Sequence, residues 1–132
     1  MRVLVEELPV HGDSRGTVFE PLVAEALRDQ RNVHVVLSEP GAVRANHYHM
    51  RGMEVMTVCG RALVRYRDAG ETRDVVVAEG QVLRFTFPPG VSHAVQNIGE
   101  KANVLIAFNT EPHDRETPDV VSDVLIAPPT NA

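Results

Sequence analysis

The chain has 132 residues, 43% hydrophobic and 23% charged, with a formal net charge of −5. That length suits one domain with a real core, and an acidic balance with scattered Arg residues excludes the basic stripe that a nucleic-acid surface needs. A lone cysteine, Cys59, excludes an internal disulfide, and no apolar run is long enough for a bilayer; with no signal-peptide pattern, the expected location is the cytoplasm.

Aromatic residues are 5% of the chain and Trp is absent, so the core must rest on Val, Leu, Ile and Ala, which favours strands. Residues 2–8 read as a first strand closed by Pro9, and His11 to Gly16 as a turn. Residues 17–22 read as a second strand and 23–28 as a short helical turn. Strands then follow at 31–38, 42–49, 53–59, 61–67, 72–78, 82–87, 92–97 and 102–109. Glu39-Pro40-Gly41, Gly60, Asp68-Ala69-Gly70-Glu71, Glu79-Gly80, Pro88-Pro89-Gly90 and Gly99-Glu100 supply the turns between them. Cys59 falls within a strand and reads as a small buried apolar residue. The tail from Glu111 to Asp119 is polar and interrupted by proline. Residues 120–126 read as a last strand and 128–132 as a frayed end. Many short strands at regular spacing, with almost no helix, predict an all-β sandwich or barrel. A single domain is expected over residues 1–132, with its barrel core at about 30–110.

Two stretches of this chain carry chemistry. His47 and His49 are two apart in a strand, so both imidazoles point to one face. Glu54 follows a turn containing Gly52, and His93 follows Pro88-Pro89-Gly90. Three imidazoles and a carboxylate suit one divalent metal ion, zinc first, with iron, nickel or manganese as alternatives. A single strand His is ordinarily a surface or satisfied core residue. Four candidates spaced to converge favour a metal over a metal-free polar pocket. Alternation puts Val43 and Ala45 on the face of His47 and His49, Met56 and Val58 on that of Glu54, and Val95 and Asn97 on that of His93. Arg44, Asn46, Tyr48 and Thr57 fall on the opposite face, although Val55 and Ala94 break the polar pattern there.

These stretches resemble the two motifs of the cupin family. The first is Gly, five residues, His-x-His, three or four residues, Glu, then Gly, matched from Gly41 to Gly60. The second is Gly, Pro-x-Gly, two residues, His, three residues, Asn, matched from Gly80 to Asn97. The interval from Glu54 to Gly60 is one residue short and that from Gly80 to Pro88 two residues long. Both changes fall in turns or strand lengths, away from the ligand positions. The resemblance implies a double-stranded β-helix, the jelly-roll barrel, with metal ligands His47, His49, Glu54 and His93.

Three further segments resemble sugar-nucleotide cupins. Asp13-Ser-Arg15-Gly16-Thr-Val-Phe-Glu20 is similar to the Asp-x-Arg-Gly-x-x-x-Glu signature of dTDP-4-keto-6-deoxyhexose epimerases and isomerases. Arg44-Ala-Asn-His47-Tyr48 is similar to their Arg-Gly-x-His-Tyr segment, whose His is the proton-abstracting base. Asn109-Thr-Glu111 through Pro118-Asp119 is similar to the tail of the metal-binding C-terminal cupin domain in capsular UDP-sugar reductase/epimerases. The resemblance implies an epimerase or isomerase acting on a 4-keto sugar nucleotide, with the metal as Lewis acid, in a homodimer. From charge and the short apolar runs, neither nucleic acid nor a membrane is expected as partner. Tyr66 and His113 are then the candidate catalytic proton carriers, and Arg15, Arg44 and Arg65 the candidate diphosphate clamps. Each of these has a plainer reading as a solvated or snorkelling side chain. Tyr48 alternates away from His47. If His47 binds metal it cannot also be the free base, so the base is unassigned. The reductase part of the capsular enzymes has no counterpart in these residues. Two other functions compete: an iron-dependent dioxygenase, which the tail and the Asp13–Gly16 match disfavour, and a non-catalytic small-molecule-binding cupin, which little in the sequence excludes.

Overall fold

The computed structural model describes residues 2–130; Asn131 and Ala132, the end of the tail expected to fray, lie outside them. Among the described residues the chain runs through β1 (Leu4–Glu7), β2 (His11–Asp13), β3 (Gly16–Val18), α1 (Ala24–Leu27), β4 (Asn32–Ser38), β5 (Val43–His49) and β6 (Glu54–Cys59). It continues through β7 (Ala62–Asp68), β8 (Glu71–Val77), β9 (Val82–Phe87), β10 (His93–Asn97), β11 (Asn103–Asn109) and β12 (Val120–Ser122). One five-stranded sheet has the order β1-β9-β6-β11-β4 and the other β12-β5-β10-β7-β8. From β4 to β12 the chain crosses between the sheets at every step except the β7–β8 hairpin, and every pairing is antiparallel. This is the jelly-roll arrangement that the cupin resemblance implies, one form of the all-β sandwich or barrel that the turn spacing predicts.

The inner faces enclose one apolar core. Val58, Phe85, Phe87 and Leu105 from one sheet meet Val64, Val77 and Val95 from the other, all at or near zero exposure. Full burial of such a side chain stabilises the fold by about 1.5–3 kcal/mol each. The Phe85 and Phe87 rings stack 5.8 Å apart, and Phe87 lies 4.0 Å from the His93 ring with the planes 4° from parallel. The aromatic core therefore ends directly against a candidate ligand.

Three local expectations are corrected. The first turn is a small hairpin, β2 paired with β3, and the strand expected at 17–22 stops at Val18. The chain then passes over the outer face of β6, where the Thr57 hydroxyl donates to the Pro21 carbonyl at 2.9 Å. Thr57 does point away from the ligand face, but it is fully buried beneath this cover rather than solvated. Val55, on the same outer face, is buried as well.

The second correction concerns alternation in β5. Ala45 and Asn46 have φ of 68° and 55°, and the ladder steps from His93↔His47 to Ala94↔Ala45, leaving Asn46 as the extra residue of a bulge. Val43 and Ala45 are thereby paired with Gln96 and Ala94, off the ligand face, while Arg44 takes the row of Val95. His47 and His49 both lie beyond the bulge, so their shared face survives.

Third, the strand expected at 120–126 ends at Ser122. Asn46 replaces the ladder beyond it. Its amide oxygen accepts from the Leu125 and Ile126 backbone N–H groups at 2.9 and 3.1 Å, and its Nδ2 donates to the Ile126 carbonyl at 2.9 Å. Asn tolerates the left-handed conformation that a bulge demands, so one residue makes the bulge and anchors the tail.

Candidate metal centre

His47 and His49 come from β5, Glu54 opens β6 and His93 opens β10, all at one mouth of the sandwich. Their donor atoms lie within 4.8 Å of one another. Glu54 Oε2 is 2.7 Å from His49 Nε2, 2.9 Å from His93 Nε2 and 3.6 Å from His47 Nε2. Ligands each about 2.1 Å from one ion stand about 3.0–3.4 Å apart at octahedral or tetrahedral angles. The observed separations bracket that range.

The far sides of two rings are already committed. His49 Nδ1–H donates to Asp119 Oδ2 at 3.2 Å, and His93 Nδ1–H donates to the Val91 carbonyl at 3.0 Å. Each Nε2 can then face Glu54 only through a second ring proton or a shared cation. His47 Nε2 is buried with no hydrogen-bond partner. An orphaned nitrogen beside a buried carboxylate is what a metal ligand looks like without its ion, so the donor set fits a divalent cation.

Charge follows the same geometry. Burial pushes the Glu54 carboxyl up, but the neighbouring His93 charge, the nearby His47 ring and the hydrogen bonds from His49 and His93 outweigh it and hold it well below the usual carboxylate range. Burial pulls His49 down, yet its hydrogen bond to Glu54 and the charges of Glu54 and Asp119 leave it raised overall. Asp119 is lifted by burial and lowered more by the backbone N–H groups of Arg51 and Gly52, at 2.7 and 3.0 Å. Gly52 is needed here for space: a Cβ on it would stand 2.8 Å from Asp119 Oδ2 and 3.1 Å from Glu111 Cγ.

His47, His49 and Glu54 floor a cleft walled by Asn32, His34, Asn109 and the tail from Glu111 to Asp114, with His93 fully buried beside them. His113 stands on its rim, exposed. Tyr66 is elsewhere. It is opposite His93 in the β10–β7 register but packs against Phe87 in the core and borders a separate depression with Arg2, Asp68 and Arg73. The three arginines are not gathered at the cleft. Arg15 is tied to Asp13 on the β2–β3 hairpin, Arg65 makes a two-pronged bond to Asp74 at 2.7 and 2.9 Å, and Arg44 is exposed on β5. The role of Asp119 was not apparent from sequence. Its Pro118-Asp119 motif was visible, but nothing in the spacing placed it against His49.

An antiparallel jelly roll with His-x-His, Glu and His converging at one mouth defines a cupin. Residues 11–121 match the polysaccharide biosynthesis C-terminal domain family, and the chain belongs to it. It is 30% identical over 129 residues to a probable low-salt glycan biosynthesis epimerase, Agl13, of Haloferax volcanii, covering 89% of this chain and 83% of that protein. It is 28% identical over 116 residues to the UDP-2-acetamido-2,6-beta-L-arabino-hexul-4-ose reductase of Pseudomonas aeruginosa, covering 86% of this chain but 30% of the reductase. The fold is shared with ChmJ, a 3'-monoepimerase of Streptomyces bikiniensis solved with dTDP-quinovose, at a TM-score of 0.74 and 21% identity, over 91% of this chain and 68% of that one. Among the described residues, no helix is long and apolar enough to cross a membrane.

Proposed function

We propose that this protein is an epimerase or isomerase of a nucleotide-linked 4-keto sugar, working with one divalent metal, zinc first, held by His47, His49, Glu54 and His93. The observation that carries the reading is the convergence of three imidazole Nε2 atoms on Glu54 Oε2, with the outer nitrogens of His49 and His93 already engaged. When bound, such an ion supplies Lewis-acid polarisation of a ketone oxygen. The relatives support the substrate class, since one is named as a probable epimerase and another for a UDP-linked hexul-4-ose.

Epimerisation beside a ketone removes the α-proton, leaves an enolate and returns a proton to the opposite face. In this reading the ketone oxygen would sit at the floor of the cleft, beside the residues that would hold the ion. His113 is our candidate proton carrier, because an imidazole nitrogen on the rim of the same cleft can take or return that proton. Tyr66, packed behind Phe87, is not placed for the role. We place the protein in the cytoplasm as a homodimer. Edge strand β4 supports the dimer, since Val33, Val35 and Leu37 on its outer face are 56%, 61% and 68% exposed and a second copy would cover them. Sedimentation gives the mass: a dimer is expected, and a monomer at micromolar concentration contradicts it.

The test of the reaction is proton exchange. Zinc-loaded protein is incubated in heavy water with a UDP- or dTDP-4-keto-6-deoxy sugar, and deuterium is read at the carbons flanking the ketone. Wash-in by the wild type and its loss in His93→Ala are expected. Oxygen uptake by the iron-loaded protein without wash-in would instead make it a dioxygenase. Tight sugar binding with neither reaction would make it a binding module.

A further inference from the structure

Asn109 closes β11 at the mouth of the sandwich. It is 4% exposed, lines the cleft, and its Oδ1 is buried with no hydrogen-bond partner. In register it stands directly opposite Glu54 on β6 and Asn32 on β4. Side chains opposite one another in antiparallel strands share a face with Cβ atoms about 5 Å apart. The carboxamide is therefore the immediate neighbour of the Glu54 carboxylate.

A buried amide oxygen without a donor costs stability, and native folds rarely leave one. Three other orphans among the described residues do not line the cleft: Gln30 Oε1, and Ser38 and Asn103, which face each other across the β11–β4 ladder at its far end. His47 Nε2 is accounted for by the cation site. Apart from His47, Asn109 is the only one of these residues that lines the cleft, and its Oδ1 remains without a role. An amide oxygen accepts hydrogen bonds and cannot help a ketone or enolate oxygen directly. What it can hold is an O–H beside that oxygen.

We infer that Asn109 determines specificity: its carboxamide oxygen accepts a hydrogen bond from a hydroxyl on the carbon adjoining the ketone, so the cleft selects α-hydroxy ketones. This rests on the reading of the cleft as a keto-sugar site. A site built to bond a substrate hydroxyl rejects the analogue without it, because the protein acceptor is then left unpaired.

The test is binding, separate from turnover. Zinc-loaded wild type, Asn109→Leu and Asn109→Ser are titrated calorimetrically with dTDP-4-keto-6-deoxyglucose and with its 3-deoxy counterpart, and zinc per chain is measured in each. Wild type binds the hydroxylated sugar about tenfold or more tightly. Asn109→Leu binds both sugars with the affinity of the deoxy compound while keeping its zinc. Asn109→Ser, which retains an acceptor, keeps part of the preference and serves alone if the leucine variant does not fold. An unchanged preference in the variants, or equal weakening toward both sugars, overturns the inference. Equal binding of the two sugars by wild type overturns it also and leaves the keto-sugar reading standing. Failure of wild type to bind either sugar overturns both.

Discussion

Asp119 accepts a hydrogen bond from His49 Nδ1 at 3.2 Å although 70 residues separate them in the chain. The same carboxylate collects the backbone N–H groups of Arg51 and Gly52. One residue of the tail thus fixes the ring of a proposed ligand and the turn that leads to another, Glu54. A carboxylate behind a ligating imidazole sets its tautomer and raises its basicity, and losing such a partner costs about 10–100-fold in metal affinity. Asp119→Ala is expected to weaken zinc binding by that factor, measured by competition with a chelating dye. Affinity within twofold of wild type would show that Asp119 only staples the tail.

Gly52 gives a steric version of the same test. Gly52→Ala puts a methyl 2.8 Å from Asp119 Oδ2, so the carboxylate must move. Overpacking of this kind costs about 1–3 kcal/mol. Urea denaturation should show that loss, and zinc affinity should fall with it. A variant as stable as wild type would mean that Asp119 moves freely.

The pH dependence has opposite signs with and without metal. In metal-free protein His49 is raised above its ordinary 6.5, so its contribution to stability is complete below that value and is lost as pH rises through the raised one. Glu54 and Asp119 are lowered from 4.5 and 3.8, so theirs is present above those values and lost as pH falls through the depressed ones. Metal-free stability should therefore be greatest between pH 4.5 and 6.5 and decline into the alkaline range. Zinc competes with the His49 proton, so the gain in Tm on adding zinc should grow as pH rises from 6 to 8. Thermal melts with chelator and with zinc check both slopes. A zinc gain that shrinks as pH rises would contradict proton competition at these imidazoles.

Thr57 tests the cover over β6, remote from the cleft. Thr57→Val keeps the volume but leaves the Pro21 carbonyl without its donor. A loss of about 1–2 kcal/mol is expected, with zinc stoichiometry unchanged. Loss of zinc in this variant would mean that the cover positions the ligands.

The ligand set was legible because its information is local. His-x-His needs only the two-residue period of a strand, and Gly52 and Pro88-Pro89-Gly90 announce the turns that bring Glu54 and His93 to the same mouth. What escaped was set by contacts distant in sequence. The bulge at Asn46 is stabilised by tail residues 125 and 126, so no window around β5 shows it. Thr57 looked outward by parity and is outward, but Pro21 covers it. Arg65 was a reasonable phosphate clamp until the β7–β8 register placed Asp74 opposite it. Asp119 and Asn109 stood in a visible motif whose geometry appears only when β11 and the tail are placed beside Glu54.

Elemental analysis of purified wild type, Glu54→Ala and His93→Ala, each reloaded with zinc and desalted, bears most directly on the four-residue centre. One zinc per wild-type chain and less than about a tenth of that in either variant, with all three still folded by circular dichroism, is the expected result. Wild type that retains no divalent ion, or variants that keep a full equivalent, would contradict it.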